Sequence, residues 1–95
     1  MMLQNKTVFL TGAARGIGAT CAKYFVEQGA KVMLVDRDKA GLQNLTASLN
    51  ASGDNAIFAV VDITDAEAVA EAVKTLHDKW GRVDVLVNNA GITRD

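Results

Sequence analysis

Three glycines stand close together near the N-terminus, between an apolar run and a stretch with helical periodicity. Gly12, Gly16 and Gly18 follow the run Val8-Phe9-Leu10. Glycine lets the backbone approach a ligand closely, and the first N–H groups of a helix carry the positive end of its dipole. A strand, a glycine turn and a helix in this order therefore predict a binding site for a diphosphate.

A carboxylate follows where a second contact to the same ligand is expected. Asp36 ends the next apolar run, eighteen residues after Gly18. In dinucleotide-binding folds an acidic residue at about this spacing accepts hydrogen bonds from the adenosine ribose. Glycine turns also start helices that bind nothing, but the strand before the turn and the carboxylate after it favour a site for the adenosine half of a dinucleotide.

Two more polar segments follow apolar runs, at the edge where a parallel sheet binds its ligands. Asp62 follows the third run and could accept a hydrogen bond from an adenine amino group, although an ordinary loop aspartate is an equally good interpretation. Residues 88–91, Asn-Asn-Ala-Gly, follow the fourth run. Their side-chain amides could tie loops together, but in isolation an ordinary Asn/Gly turn is the simpler interpretation.

The elements that position these residues are predicted from hydrophobic periodicity and capping signals. The predicted strands are Lys6–Leu10, Lys31–Val35, Asn55–Val61 and Val83–Val87. The predicted helices are Arg15–Gln28, a helix from an Asp38 cap to near Gly53, and a helix that starts with a Thr64–Glu67 capping box and ends at Gly81. The βαβαβαβ order of near-continuous apolar strands indicates an α/β fold with a parallel sheet covered on both faces.

Handedness then constrains the topology. Right-handed crossovers place the first two helices on one face, and a nucleotide crevice needs the strand order to reverse beside the first strand. We expect a Rossmann-type sheet with strand order 3-2-1-4, the N-terminal half of a doubly wound domain. The third helix then lies alone on the opposite face, and the fourth strand is left as an apolar edge.

Length and composition exclude several other classes of protein. The 95 residues suit a single domain spanning residues 1–95, and a net charge of −1 offers no basic surface for nucleic acid. No apolar run approaches the ~18 residues of a membrane span, and the N-terminal residues lack the pattern of a secretory signal, so neither feature is expected. Cys21 is the single cysteine, so a reducing, cytoplasmic setting is expected. No residues have metal-ligand spacing.

Together, the segments resemble the short-chain dehydrogenase/reductase family over essentially the whole chain. The resemblance rests on Thr11-Gly12-x-x-x-Gly16-x-Gly18, on Asp62 after the third strand, and on residues 88–91 after the fourth. Residues 91–95, Gly-Ile-Thr-Arg-Asp, are similar to the branch formed by 3-oxoacyl-[acyl-carrier-protein] reductases and acetoacetyl-CoA reductases. That branch usually takes NADPH.

The resemblance implies a role for each matching residue. The three glycines would line the diphosphate turn, with the Ile17 N–H near a phosphate oxygen, and Thr11 and Asn88 would tie this turn to the fourth-strand loop. Asp62 and Ile63 would contact adenine. In the segment 88–91, the Asn89 backbone would meet the ribose and Gly91 would lie near the nicotinamide. The residues expected at the dinucleotide are Thr11, Gly12, Arg15, Gly16, Ile17, Gly18, Asp36, Arg37, Asp62, Ile63, Asn88, Asn89, Ala90 and Gly91.

The choice between NAD and NADP depends on charges around Asp36. Its carboxylate suits the free ribose hydroxyls of NAD and would repel the 2′-phosphate of NADP. Arg15 and Arg37 flank the same position, and guanidinium groups suit phosphate. NAD is the predicted cofactor, and NADP is the alternative.

The resemblance further implies a catalytic serine, tyrosine and lysine, and this chain does not supply that set. In that set the lysine stands four residues after the tyrosine, whereas the single tyrosine here, Tyr24, is followed at that distance by Gln28. Periodicity places Tyr24 on an apolar helix face with Ile17, Cys21 and Phe25. We therefore predict no catalytic residue here. The parent would be a homo-oligomeric oxidoreductase acting on a 3-oxoacyl or 3-hydroxyacyl thioester. The alternatives are an inactive nucleotide-binding module and a truncated fragment.

Overall fold

The computed structural model describes residues 1–89, so Ala90 and Gly91 lie outside the described residues. The strands are β1 (Thr7–Thr11), β2 (Lys31–Asp36), β3 (Ala56–Val60) and β4 (Val85–Asn88). The helices are α1 (Gly16–Glu27), α2 (Lys39–Leu49) and α3 (Ala66–Trp80), and a 3₁₀ turn (Asn50–Ser52) follows α2.

The four strands form one parallel sheet in the order β3-β2-β1-β4. This confirms the predicted fold class and strand order. The order reverses at β1, because β2 lies on one side of it and β4 on the other. Ligands of open α/β sheets bind at such a reversal, outside the carboxyl ends of the strands.

The strand β4 starts at Val85, two residues later than predicted. The Asp84 carboxylate accepts a hydrogen bond from the Thr7 backbone N–H at 2.9 Å, so a side chain takes the place of a backbone pairing partner there. Arg82 donates to the same carboxylate at 2.9 Å and to the Asn5 carbonyl at 3.1 Å. These contacts join the start of β4 to the start of β1.

Alternation along the strands produces two separate cores. On one face, Val8, Leu10, Val32 and Leu34 pack with residues of α1 and α2. On the other face, a smaller cluster packs with α3; its buried members are Phe9, Met33, Val35, Val61, Ala72 and Leu76. The two predicted helix layers are therefore confirmed, with α3 the single helix on its face among the described residues.

The buried face of α1 differs from the predicted one. Ile17 is 61% exposed and Tyr24 is 47% exposed, whereas the helix buries Gly18 and Ala22. Small residues face the sheet because α1 packs closely there, so the large side chains turn outward or to the flank, where Cys21 is partly buried. The prediction that the large apolar residues form the buried face of this helix was therefore wrong for Ile17 and Tyr24.

The helix ends are set mainly by local hydrogen bonds. The Asp38 carboxylate accepts from the Gly41 N–H at 3.0 Å, and Gly81 ends α3 in the left-handed conformation, both as predicted. The predicted cap of α3 was wrong: Asp65, not Thr64, accepts from the Ala68 N–H, at 3.2 Å. The Thr64 hydroxyl instead donates to Asp62, so it is not available for the helix.

The edge strand β4 carries exposed apolar surface, as predicted. Leu86 lies beside Phe9 in the sheet and is 68% exposed, whereas Phe9 is buried. Within residues 1–89, β4 pairs with β1 alone. None of the described helices is long and apolar enough to cross a membrane.

Candidate functional site

The strand register brings the predicted residues to one edge of the sheet. Thr11 is level with Val35 of β2 and with Asn88 of β4, and Asp36 is level with Val60 of β3. All strands point the same way, so their C-terminal residues, the loops that follow them and the start of α1 meet at this edge. It is the edge at which the order of the strands reverses.

The glycine turn after β1 has a backbone that side chains would disturb. Gly12 and Gly16 have φ angles of 65° and 61°, in the left-handed region that favours glycine. A Cβ on Gly18 would lie 1.8 Å from the Gly12 carbonyl oxygen. Gly18 therefore allows the first turn of α1 to pack directly against the backbone of the loop.

The end of β4 holds the glycine turn from the other side. The side-chain amide of Asn89, which is 3% exposed, donates to the Gly12 carbonyl at 3.0 Å. The Thr11 hydroxyl donates to the Asn88 side-chain oxygen, also at 3.0 Å. These two bonds join β1 to β4 across the strand-order reversal, so the predicted tie between Thr11 and Asn88 is present.

The N-terminus of α1 has no capping side chain. Arg15 occupies the N-cap position with an extended backbone and no side-chain cap hydrogen bond, and the first turn contains no acidic residue. Because the first N–H groups of a helix have no partner inside it, they need an acceptor from elsewhere. Here a water molecule or a bound anion can fill that position, and the helix dipole favours the anion.

Asp36 lies against the glycine turn. One carboxylate oxygen accepts from the Ala14 N–H at 3.1 Å, and the other accepts from the N–H groups of Arg37 at 2.7 Å and Asp38 at 3.1 Å. The carboxylate is half-buried and fixed by backbone donors. Ala14 was not among the predicted site residues. Its position in the glycine turn, which must pass the end of β2, is the feature of the sequence that could have indicated it.

The third part of the site connects the ends of β2 and β3. One oxygen of Asp62 accepts from the Thr64 N–H at 2.9 Å and from its hydroxyl at 2.7 Å. The other oxygen lies 3.7 Å from a guanidinium nitrogen of Arg37. The Thr64 N–H, then its hydroxyl and the Arg37 charge, lower the pKa of Asp62 below its usual range. Ile63 follows with its side chain exposed.

Most of the predicted residues are therefore adjacent. Gly12, Gly18 and Asn89 are in contact, Asp36 reaches the same turn through Ala14, and Arg37 reaches Asp62. Ala90 and Gly91 lie outside the described range. No group of three or more His, Cys, Asp or Glu side chains in residues 1–89 has the arrangement of a metal site. The assembled groups are backbone donors at a helix start, a carboxylate fixed beside them and a charged pair.

A sequence model of the short chain dehydrogenase family matches residues 6–95. The chain belongs to this family. The sequence prediction of the family is thereby confirmed, and the glycine turn, Asp36 and the strand reversal described above occupy the positions that a dinucleotide-binding fold of this class uses.

Individual relatives agree with this membership. The chain is 40% identical over all of its 95 residues to the 3-oxoacyl-[acyl-carrier-protein] reductase FabG of Vibrio harveyi. It is equally identical, over 92 residues, to a gluconate 5-dehydrogenase of Gluconobacter oxydans. A crystal structure of 3-ketoacyl-(acyl-carrier-protein) reductase from Brucella melitensis, complexed with NADH, superposes on 88% of the chain with a TM-score of 0.82 and 40% identity.

The chain is much shorter than these relatives. It spans 38% of the length of the Vibrio harveyi reductase, 36% of the gluconate dehydrogenase and 33% of the Brucella melitensis chain. The shared part runs from the first strand through the fourth.

Proposed function

We propose that this chain is the adenosine- and diphosphate-binding part of an NAD(P)-dependent oxidoreductase. The observation that carries the proposal is the uncapped start of α1 behind the glycine turn, with the Asp36 carboxylate fixed beside it. The diphosphate would accept hydrogen bonds from the first N–H groups of α1, and the adenosine ribose would donate to Asp36. The adenine would lie towards Asp62 and Ile63.

NAD is the preferred cofactor in this proposal. Asp36 keeps one unused acceptor position on its carboxylate after three backbone bonds, and a ribose hydroxyl can donate to it. A 2′-phosphate would instead face the carboxylate charge at short range. NADP stays the alternative because Arg37 is the next residue along the chain.

A 3-oxoacyl or 3-hydroxyacyl thioester is the proposed substrate class of the parent enzyme. The names of the FabG-type relatives and the residues 91–95 support it. The gluconate dehydrogenase is also 40% identical to the chain, so we propose that residues outside the matched part select the substrate. A homo-oligomeric parent and a cytoplasmic location belong to the same proposal.

The chain by itself should bind a dinucleotide without turning over a substrate. Its single tyrosine lies on the exposed side of α1 and has Gln28 four residues later, where the expected catalytic pair needs a lysine. A nucleotide-binding module without catalysis is therefore the second candidate function of these 95 residues. Saturable NAD binding with no change in nicotinamide absorbance on adding acetoacetyl-CoA would support it.

Calorimetric titration with NAD⁺ tests the proposal, and two glycines provide a matched pair of variants. Gly16 and Gly81 both have left-handed φ angles, and a Cβ at either would meet open space. Gly16→Ala strains the proposed diphosphate turn, whereas Gly81→Ala strains the far end of α3. Each substitution should cost about 1 kcal/mol of stability, so they differ mainly in their position relative to the site.

We expect Gly16→Ala to weaken NAD⁺ binding by about tenfold or more and Gly81→Ala to leave it unchanged. Absence of NAD⁺ binding by the folded wild-type chain would contradict the proposal. Equal losses in the two variants would contradict the assignment of the diphosphate to the glycine turn.

A further inference from the structure

We propose that Asp62 determines cofactor specificity by holding Arg37 away from the 2′ position of the adenosine ribose. Asp62 is then a positioning residue that favours NAD over NADP, through Arg37. The inference rests on the proposed function, because it requires a dinucleotide whose ribose lies beside Asp36.

The side chains of Asp36 and Arg37 diverge although the residues are adjacent. The Asp36 carboxylate turns to the glycine turn and accepts the Ala14 N–H. The Arg37 backbone N–H donates to that same carboxylate, but its guanidinium extends to the end of β3, 3.7 Å from Asp62. The guanidinium therefore lies beside Asp62, whereas the Asp36 carboxylate, at which the ribose hydroxyls are expected, accepts backbone N–H groups.

Asp62 is fixed in the orientation that this role needs. Thr64 provides two hydrogen bonds to one carboxylate oxygen, through its N–H and its hydroxyl. The second oxygen is left to face Arg37. The Thr64 donors also keep the pKa of Asp62 below its usual range, so the carboxylate is negatively charged at neutral pH. Arg37 is attracted by a charge whose position does not depend on the nucleotide.

A 2′-phosphate would compete with Asp62 for this guanidinium. Bound beside Asp36, the phosphate needs a cation, because two like charges at short range oppose binding. Arg37 can supply that cation only by leaving Asp62. Its side chain is 76% exposed, and exposed ion pairs contribute little, so we expect Asp62 to change the preference by about three- to fivefold rather than by orders of magnitude.

The test is the ratio of affinities for NADP⁺ and NAD⁺, measured calorimetrically on the 95-residue chain at low ionic strength. Asp62→Asn keeps the size of the side chain and one oxygen that can accept from Thr64, but it removes the charge and replaces the oxygen that faces Arg37 with an NH2 donor. Any contact between Asp62 and adenine is common to both cofactors and cancels in the ratio. We expect Asp62→Asn to raise the ratio by about three- to fivefold and added salt to reduce that gain.

Two further variants separate this role from a structural one. Asp62→Glu restores the carboxylate and should return the ratio towards the wild-type value. In an Arg37→Gln background, Asp62→Asn should leave the ratio unchanged, because the cation through which Asp62 acts is absent.

Three results would overturn the inference. An unchanged ratio in Asp62→Asn, with NAD⁺ binding intact, would mean that Asp62 does not control the 2′ position. The same gain in the Arg37→Gln background would mean that it acts without Arg37. Failure of the folded wild-type chain to bind either cofactor would overturn the proposed function together with this inference.

Discussion

The N-termini of α1 and α3 lie at the same edge of the sheet but are built in opposite ways. The first turn of α3 is capped by its own chain: Asp65 accepts the Ala68 N–H, and Glu67 adds a negative charge. The first turn of α1 begins at Arg15 with neither a side-chain cap nor an acidic residue. The start of α3 thus has an acceptor and a negative charge of its own, whereas the start of α1 keeps the corresponding donor and its dipole for a ligand.

The surroundings of the two helix starts differ in the same sense. Asp65 is exposed, and its carboxylate accepts a hydrogen bond from within the first turn of α3. The turn before α1 is instead fixed by partners from β2 and β4, namely Asp36 through Ala14, and Asn89 through Gly12. Distant side chains position the backbone before α1, and Arg15 at its N-cap makes no side-chain cap hydrogen bond. This is the arrangement expected for a rigid anion site.

The largest expected effect comes from adding a side-chain atom where α1 already touches the glycine turn. In Gly18→Ala the new methyl group would overlap the Gly12 carbonyl, which is backbone and cannot rotate away. We expect the free energy of unfolding to fall by about 3 kcal/mol, measured by urea denaturation. Gly41→Ala is the control, because there the methyl group meets mainly the Asp38 side chain, which can move for about 1 kcal/mol, the cost of its cap hydrogen bond. A similar loss in both variants would contradict the close packing of α1.

The second prediction converts the start of α1 into a copy of the start of α3. Arg15→Asp supplies the missing capping carboxylate, so the stability of the chain should rise by about 0.5–1 kcal/mol. The same carboxylate would occupy the N–H groups and repel the diphosphate. We therefore expect NAD⁺ affinity to fall by more than about tenfold in calorimetry, because the anion meets a like charge.

Arg15→Ser is the neutral control for that substitution. It can cap the helix without adding negative charge, so its effect on NAD⁺ affinity should be smaller than that of Arg15→Asp. Unchanged affinity in Arg15→Asp would mean that the diphosphate does not bind at the start of α1.

The reciprocal change removes the cap of α3. Asp65→Ala should lower the free energy of unfolding by about 1 kcal/mol, because the Ala68 N–H loses its acceptor. NAD⁺ affinity should stay at the wild-type value, since the α3 start is not proposed to contact the diphosphate. A loss of affinity as large as that of Arg15→Asp would remove the distinction between the two helix starts.

The smallest effect concerns the opposite edge of the sheet, where the strands begin. As at the start of α3, an aspartate carboxylate there accepts a hydrogen bond from a backbone N–H. The Thr7 N–H, followed by Arg82, lowers the pKa of Asp84 below its ordinary value. A depressed pKa in the folded state stabilises the fold at pH values above the ordinary one, about 3.9, and this stabilisation is lost as the pH falls through the folded value. Wild-type melting temperature should therefore fall more steeply than that of Asp84→Asn below about pH 4. Parallel profiles would contradict this role.

Local signals predicted the elements, and right-handed crossovers predicted the order of β3, β2 and β1. The place of β4 beside β1 followed from the expected nucleotide crevice. Asp38 and Gly81 act through residues within one helical turn of themselves. The burial of α1 was not predictable in this way. Whether Ile17 or Gly18 faces the sheet depends on how closely the helix approaches the Gly12 carbonyl, which is a tertiary distance.

The site was predictable as a set of residues but not as a set of contacts. The types and spacing of Gly12, Gly16, Gly18 and Asp36 point to a dinucleotide. The Asp36 bond to Ala14 and the Arg37–Asp62 pair depend on how far β2 and β3 extend beyond the glycine turn. Thr64 was mistaken for a cap because the sequence does not indicate that Asp62 takes its hydroxyl.

The most direct test of the account is an amide NMR titration of the ¹⁵N-labelled chain with NAD⁺. If the diphosphate binds at the uncapped helix start, the largest chemical-shift changes will fall on the N–H groups of Gly16, Ile17 and Gly18. The amide chemical shift of Ala68, in the capped start of α3, will not change. Equal shifts at both helix starts, or shifts confined to other residues, would contradict the account.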